Sequence, residues 1–170
     1  MKAQHHIVIS LAAGFLAWVL FGSIPGALAL FFSGVFIDLD HLFDYCYNNY
    51  GNFKIRRFFE VFESGILKRI FVFFHSWEIA LLGLAVLVFF PGFRRPVIVG
   101  LLAGFAGHLA LDNIFNGHSR WAYFLSYRSL HGFNGRYYYG RREYRERLKK
   151  KRRAERMSAA KHKGPEWRCK

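Results

Sequence analysis

Along most of this chain apolar side chains do not alternate with polar ones; they come in long runs. Residues 7–21 form the first run, a turn-like Gly22-Ser-Ile-Pro-Gly26 follows, and residues 27–37 resume it. Residues 70–90 form the third, interrupted near its start by His75 and Glu78 and closed by Pro91-Gly92. Residues 97–115 form the fourth, interrupted by His108 and Asp112. A helix needs about 20 apolar residues to cross a ~30 Å hydrocarbon core. The third and fourth runs meet that length when their polar interruptions lie near one end. The first is somewhat short, and the second offers 11 uninterrupted apolar residues before Asp38. Soluble helices carry a polar stripe, and these runs have none away from the His and Asp positions. The pattern predicts an all-α, polytopic membrane protein with about four transmembrane helices. Segment 45–69 sets Phe53, Ile55, Phe58, Phe59, Val61 and Phe62 among basic residues, as in an interfacial amphipathic helix lying on the headgroups.

Composition sharpens this picture. The 170 residues and 19.9 kDa suit a single domain, and a hydrophobic content of 53% excludes uniform disorder. Two distant cysteines, Cys46 and Cys169, exclude a disulfide framework. The net charge of +14 is unevenly spread: residues 134–170 hold 15 Lys and Arg against 4 acids, whereas residues 1–133 hold 10 against 7. The chain therefore divides into a transmembrane helical domain, 1–133, and a basic cytoplasmic tail, 134–170. Such a juxtamembrane polybasic segment binds anionic lipid headgroups at about 1 kcal/mol per Lys or Arg near the surface. Nucleic acid is the weaker partner, because it rests on charge and on Tyr137, Tyr138 and Tyr139 as stacking groups, with no base-reading motif.

Loop charges set the orientation. Lys54, Arg56, Arg57, Lys68 and Arg69 lie between the second and third runs, against Arg94 and Arg95 between the third and fourth. The positive-inside rule puts that loop and both termini in the cytoplasm, in a plasma or inner membrane. Lys2, the run from Ile7 and Ala27-Leu28-Ala29 also fit a secretory signal peptide with an A-x-A cleavage site, ending at residue 29. The run continues to Ile37, however, and cleavage would leave a mature chain starting inside an apolar helix.

Ionisable side chains in membrane segments are costly and mark function by default. His5 and His6 precede the first helix. Asp38, Asp40, His41 and Asp44 close the second, His75 and Glu78 open the third, and His108 and Asp112 end the fourth. A topology derived from Lys and Arg alone thus gathers every cluster at the cytoplasmic end. His108 and Asp112 are spaced i, i+4 and share a helix face; Asp38 and His41, His41 and Asp44, and His75 and Glu78 are spaced i, i+3. Mixed imidazole and carboxylate donors suit zinc most of all, then manganese or iron, whereas calcium takes oxygens alone. His6, Asp38, Asp40, His41, His75, His108 and Asp112 are the metal candidates, more than a single four-coordinate site needs, so one or two ions fit. Asp40 and Glu78 are the candidate catalytic carboxylates for metal-bound water. Simpler roles compete: helix capping for 38–41, snorkelling for Glu78, and an interhelical hydrogen bond for His108–Asp112. Carboxylates at a helix C-terminus oppose the dipole unless a cation is bound, which favours the site. His118 and His131 lie beyond the helices and are not counted as ligands.

The ordered set His6-Ile-Val-Ile-Ser10, Asp38-Leu-Asp40-His41, Phe74-His75-Ser76 and Gly107-His108-x-x-x-Asp112 resembles the membrane-bound metal-dependent hydrolases over roughly residues 4–125. That family carries an N-terminal His, P-D-x-D-H, H-R-G-x-T-H-S and H-x-x-x-D in this order on short membrane helices. Here Ile37 stands for the Pro, and residues 70–74 depart from H-R-G-x-T, so one family histidine has no counterpart. The resemblance implies a metal-dependent hydrolase using metal-activated water on an ester or phosphoester at the cytoplasmic membrane face. Two other classes compete: a non-catalytic metal-binding transporter or sensor, and a membrane scaffold acting through the basic tail.

Overall fold

The computed structural model describes residues 3–48, 53–64, 67–93 and 95–162. Lys2, Arg94, the Phe62 side chain, and the end of the basic tail from Lys163, with Cys169, lie outside the described residues. The regular elements are helices: α1 (Ala3–Phe21), α2 (Ile24–Phe36), a 3-10 turn (Ile37–Leu39), α3 (Asp40–Asn48) and α4 (Ile55–Ser64). Then come α5 (Trp77–Phe89), a 3-10 turn (Pro91–Phe93), α6 (Pro96–Phe115), α7 (Leu125–Leu130) and α8 (Gly135–His162). Among the described residues the only extended pairing is an isolated bridge between Arg69 and Asn134. The fold is all-α, as the hydrophobic runs predict.

Among the described residues three stretches are long and apolar enough to cross a membrane: Gln4–Phe21, Ile24–Asn48 and Pro96–Phe115. The second is longer than its apolar run, because α2 passes through the 3-10 turn into α3 without leaving its path. Asp38 and Asp40 therefore do not end a helix. Asp40 continues this helical path, with αR backbone and its N–H donating to the Ile37 and Asp38 carbonyls, so no free helix end lies beside either carboxylate. The expected C-terminal mismatch does not arise there. Run 70–90 is divided. Only Trp77–Phe89 is helical, about 20 Å at 1.5 Å per residue and short of a full hydrocarbon crossing. Residues 70–76 fold instead as an irregular segment with Ile70, Val72, His75 and Ser76 buried. Ala27 to Ala29, the A-x-A signal, lies inside α2, with Ala29 buried.

Packing inverts the usual arrangement. Val8, Leu20 and Leu82 are about two-thirds exposed, while the buried faces carry small and ionisable residues. In α1 these are His6, Ser10 and Gly14; in α6 they are Gly100, Gly104, His108 and Asp112, with Leu109 the one large apolar side chain buried beside them. Steps of four keep each set on one helical face. A Cβ on Gly100 would run into the Gly26 carbonyl oxygen, and one on Gly104 into the Leu30 carbonyl oxygen and Ser33 Oγ. Glycine at these two sites lets the α2 and α6 backbones touch, the usual device where lipid offers no hydrophobic drive between helices. The α1–α2 hairpin turns at Gly22 (φ +67°), and the Ser23 hydroxyl accepts the Gly26 N–H at 3.3 Å. Small residues thus fill the middle of each stripe and ionisable ones its end.

The amphipathic segment forms α4, with Ile55, Arg56, Arg57 and Phe59 exposed and Phe58 packed on the Tyr45 ring. After α6 the chain folds back against the start of α5, where the Trp77 N–H donates to the Tyr123 carbonyl at 2.9 Å. Helix α8 breaks at Gly140 (φ +72°). Before the break, Tyr138 and Tyr139 are buried in the core, so packing continues past residue 134.

Candidate metal centre

Four donors from three separate parts of the chain meet at the end of the bundle: Asp38, His75, His108 and Asp112. The 3-10 turn supplies Asp38, the irregular segment His75, and the last turns of α6 the other two. His75 Nε2 lies 3.3 Å from Asp38 Oδ1, 3.3 Å from His108 Nε2 and 3.6 Å from Asp112 Oδ2. His108 Nε2 lies 3.4 Å from Asp38 Oδ1 and 3.6 Å from Asp112 Oδ2. These five of the six donor–donor edges, at 3.3–3.6 Å, match the spacing around a tetrahedral ion with ligand bonds of ~2.0–2.2 Å. His75, His108 and Asp112 are buried.

The outer contacts fix which ring nitrogens face this point. His108 Nδ1 is 2.8 Å from the Gly34 carbonyl oxygen, which only accepts, so Nδ1 carries the hydrogen. His75 Nδ1 is 3.0 Å from Asp40 Oδ1 and likewise donates to a carboxylate. In neutral rings both Nε2 lone pairs then point at the common centre, beside two carboxylate oxygens. Such a set requires positive charge there, supplied by ring protons or by one metal ion. The carbonyl and carboxylate behind the two rings are the outer contacts that orient metal-ligating histidines. Imidazole nitrogens and carboxylate oxygens fit a divalent first-row ion.

The remaining sequence candidates take different places. His6 Nε2 bonds the outer oxygen of Asp112, Oδ1, at 3.0 Å, and its ring stacks on His108 with centroids 4.0 Å apart. Its neighbour His5 is exposed. His41 Nε2 is 3.7 Å from Asp38 Oδ1. Asp40, His41 and His75 form a second donor group, but it shares His75 with the first and uses the Asp40 carboxylate that also accepts the Phe74 N–H at 2.9 Å. His75 and Glu78 do not share a helical face, because the helix starts only at Trp77. Glu78 accepts from Ser76 Oγ at 2.6 Å, Leu125 N–H at 3.0 Å, Ser126 N–H at 2.9 Å and Ser126 Oγ at 2.7 Å. Its carboxylate thus ties α5 to the start of α7.

Asp44 and Arg128 carry the segment that delivers His75. Asp44 Oδ1 accepts the Phe71 N–H at 2.8 Å, and Arg128 donates to the Val72 and His75 carbonyls at 2.9 and 3.1 Å. Both side chains are buried. Between them Val72 adopts φ +32°, a strained conformation for a β-branched residue. In the sequence Arg128 stands outside both the apolar runs and the basic tail, and no spacing distinguishes it. On the far side, Glu143 accepts from His118 Nδ1 at 3.0 Å and Arg147 Nε at 2.9 Å. Partial burial pushes the Glu143 carboxyl up, but these two groups outweigh it and hold it below the usual carboxylate range.

Comparison with known proteins adds no relative: no family model matches the chain, and no curated protein or solved structure matches it significantly.

Proposed function

We propose that this chain is a membrane-embedded, metal-dependent hydrolase that acts on an ester or phosphoester at the cytoplasmic membrane face. The observation that carries the reading is the convergence of Asp38, His75, His108 and Asp112 with edges of 3.3–3.6 Å and both imidazole Nδ1 atoms already engaged behind them. The ordered motifs that resemble the membrane-bound metal-dependent hydrolases support it. One ion fits better than two, because both donor groups use His75. Zinc suits two imidazoles and two carboxylates in tetrahedral spacing. Because these four donors complete a tetrahedron, an ion held here would have to take its water in a fifth position, where it would be ionised near neutral pH.

The protein's own groups then divide the work. Asp40 holds the His75 ring by its Nδ1–H, and His6 steadies Asp112. His41 lies beside Asp38 and lines the adjoining cavity, which places its imidazole to accept a proton from the attacking water. The bias of Lys and Arg supports cytoplasmic termini, with α5 as a short fourth pass. The exposed basic face of α8 supports contact with anionic lipid.

Elemental analysis of detergent-purified protein tests the reading. Wild type is expected to carry about one zinc, manganese or iron ion per chain, and the double variant Asp38→Ala/His108→Ala none. Wild type that stays metal-free after incubation with these ions overturns it.

A further inference from the structure

The donor centre opens onto a space with three unlike walls. His6, Asp38, His41 and Asp112 line one side of a cavity of about 670 Å³. The second wall is hydrocarbon, with Leu39 and Leu42 from the α2–α3 continuation and Phe58 and Phe59 from α4. Leu39 is 61% exposed and Phe59 51%, and Leu39 belongs to a stretch apolar enough to span a membrane. The rim of this wall therefore faces the bilayer. The third wall carries His118 and Arg147. Glu143 grips both, and the Arg147 guanidinium lies 4.5 Å over the Tyr139 ring. These bonds hold a guanidinium and an imidazole in place at the cavity edge.

A cavity of this size accommodates a ligand of lipid or drug dimensions, and its polar groups set what the ligand carries. A soluble polar substrate has no use for the Leu and Phe wall, and a plain hydrocarbon has none for Arg147. We infer that the cavity binds a lipid bearing a phosphate ester. Its chain lies along α3 and α4, and its phosphate lies between the donor centre and the Arg147–His118 wall. Guanidinium forks suit phosphate oxygens, and the exposed apolar rim admits the chain sideways from the membrane. The binding claim rests on the cavity. The reaction rests on the hydrolase reading: water oxygen bonds to phosphorus, the phosphorus–oxygen bond to the alcohol breaks, and a proton from water ends on the released alcohol.

The test uses the full chain in detergent micelles, with and without added zinc, at about 0.5 M salt to suppress binding by the basic tail. Fluorescent phosphatidic acid, diacylglycerol of the same chains, and soluble glycerol phosphate are the probes, and zinc content is measured on the same samples. Phosphatidic acid is expected to bind at least about tenfold more tightly than either other probe. Arg147→Gln should abolish the preference over diacylglycerol. Leu42→Trp, and independently Phe59→Trp at the exposed rim, should weaken both lipids about tenfold while zinc content is unchanged. Equal binding of phosphatidic acid and diacylglycerol, or glycerol phosphate binding as tightly as phosphatidic acid, overturns the inference. Lipid preference in protein that also stays free of zinc, manganese and iron upholds it and sinks the hydrolase reading; bound metal without lipid preference does the reverse.

Discussion

His75 and His108 present Nε2 to the same point because their Nδ1 atoms have different but equally fixed partners. For His108 the partner is the Gly34 backbone, which no side-chain substitution removes. For His75 it is Asp40, a carboxylate that also raises the basicity of the ring. Asp40→Asn should therefore keep the fold and lower metal affinity by about 10- to 100-fold, as measured by competition with a chromogenic chelator. His6→Ala, one contact further out on Asp112, should lose less. A different carboxylate governs the acid response of the packed α8. The folded Glu143 titrates below its unfolded counterpart, so it stabilises the native state above roughly pH 4.5. That contribution is lost as pH falls through the folded value. Acidifying from pH 6 to 3 should then lower the thermal midpoint of wild type more than that of Glu143→Gln, which has no carboxylate to protonate.

At the scale of elements, the design problem is to bring His75 up to α6 without a helix. The 70–76 segment is suspended between Asp44, which takes its amide hydrogens, and Arg128, which serves its carbonyls. Removing Arg128 leaves two buried carbonyls unserved, so Arg128→Ala should cost about 2–4 kcal/mol in denaturant unfolding and loosen metal binding with it. Gly104→Val tests the other framework. It forces a side chain into the Leu30 carbonyl and Ser33 and should lower stability by about 1–3 kcal/mol, read as a drop in thermal midpoint in detergent. These two frameworks differ in how far the sequence announces them. The α1 and α6 stripes are periodic in steps of four, so their helices and the convergence of His108 with Asp112 follow from spacing alone. Residues 70–76 look like the start of a membrane span because hydropathy does not distinguish side chains buried by protein from those facing lipid. Glu78 and Arg128 act through partners about 50 residues away, and no local pattern encodes contacts of that range.

For the whole molecule, every ionisable group of the centre sits at one end of helices whose outer faces are hydrocarbon, and the basic helix α8 follows at that same end. Charge on the connections then decides which side of the membrane the site faces. Arg56 and Arg57 lie in α4, Lys68 and Arg69 follow it, and α8 adds a dense basic surface, whereas the α5–α6 connection carries Arg94 and Arg95. Translocating the α8 end would move the larger positive charge against the insertion bias, so the site and both termini should be cytoplasmic. Single cysteines in a background lacking Cys46 and Cys169 test this in intact cells. A cysteine at Gly92, in the α5–α6 turn, should react with a membrane-impermeant maleimide added outside. One at Arg142, exposed on α8, should react only after permeabilisation. The opposite pattern would place the site outside the cytoplasm. Labelling of neither position in intact cells would mean that α5, at 13 residues, returns within the membrane instead of crossing it.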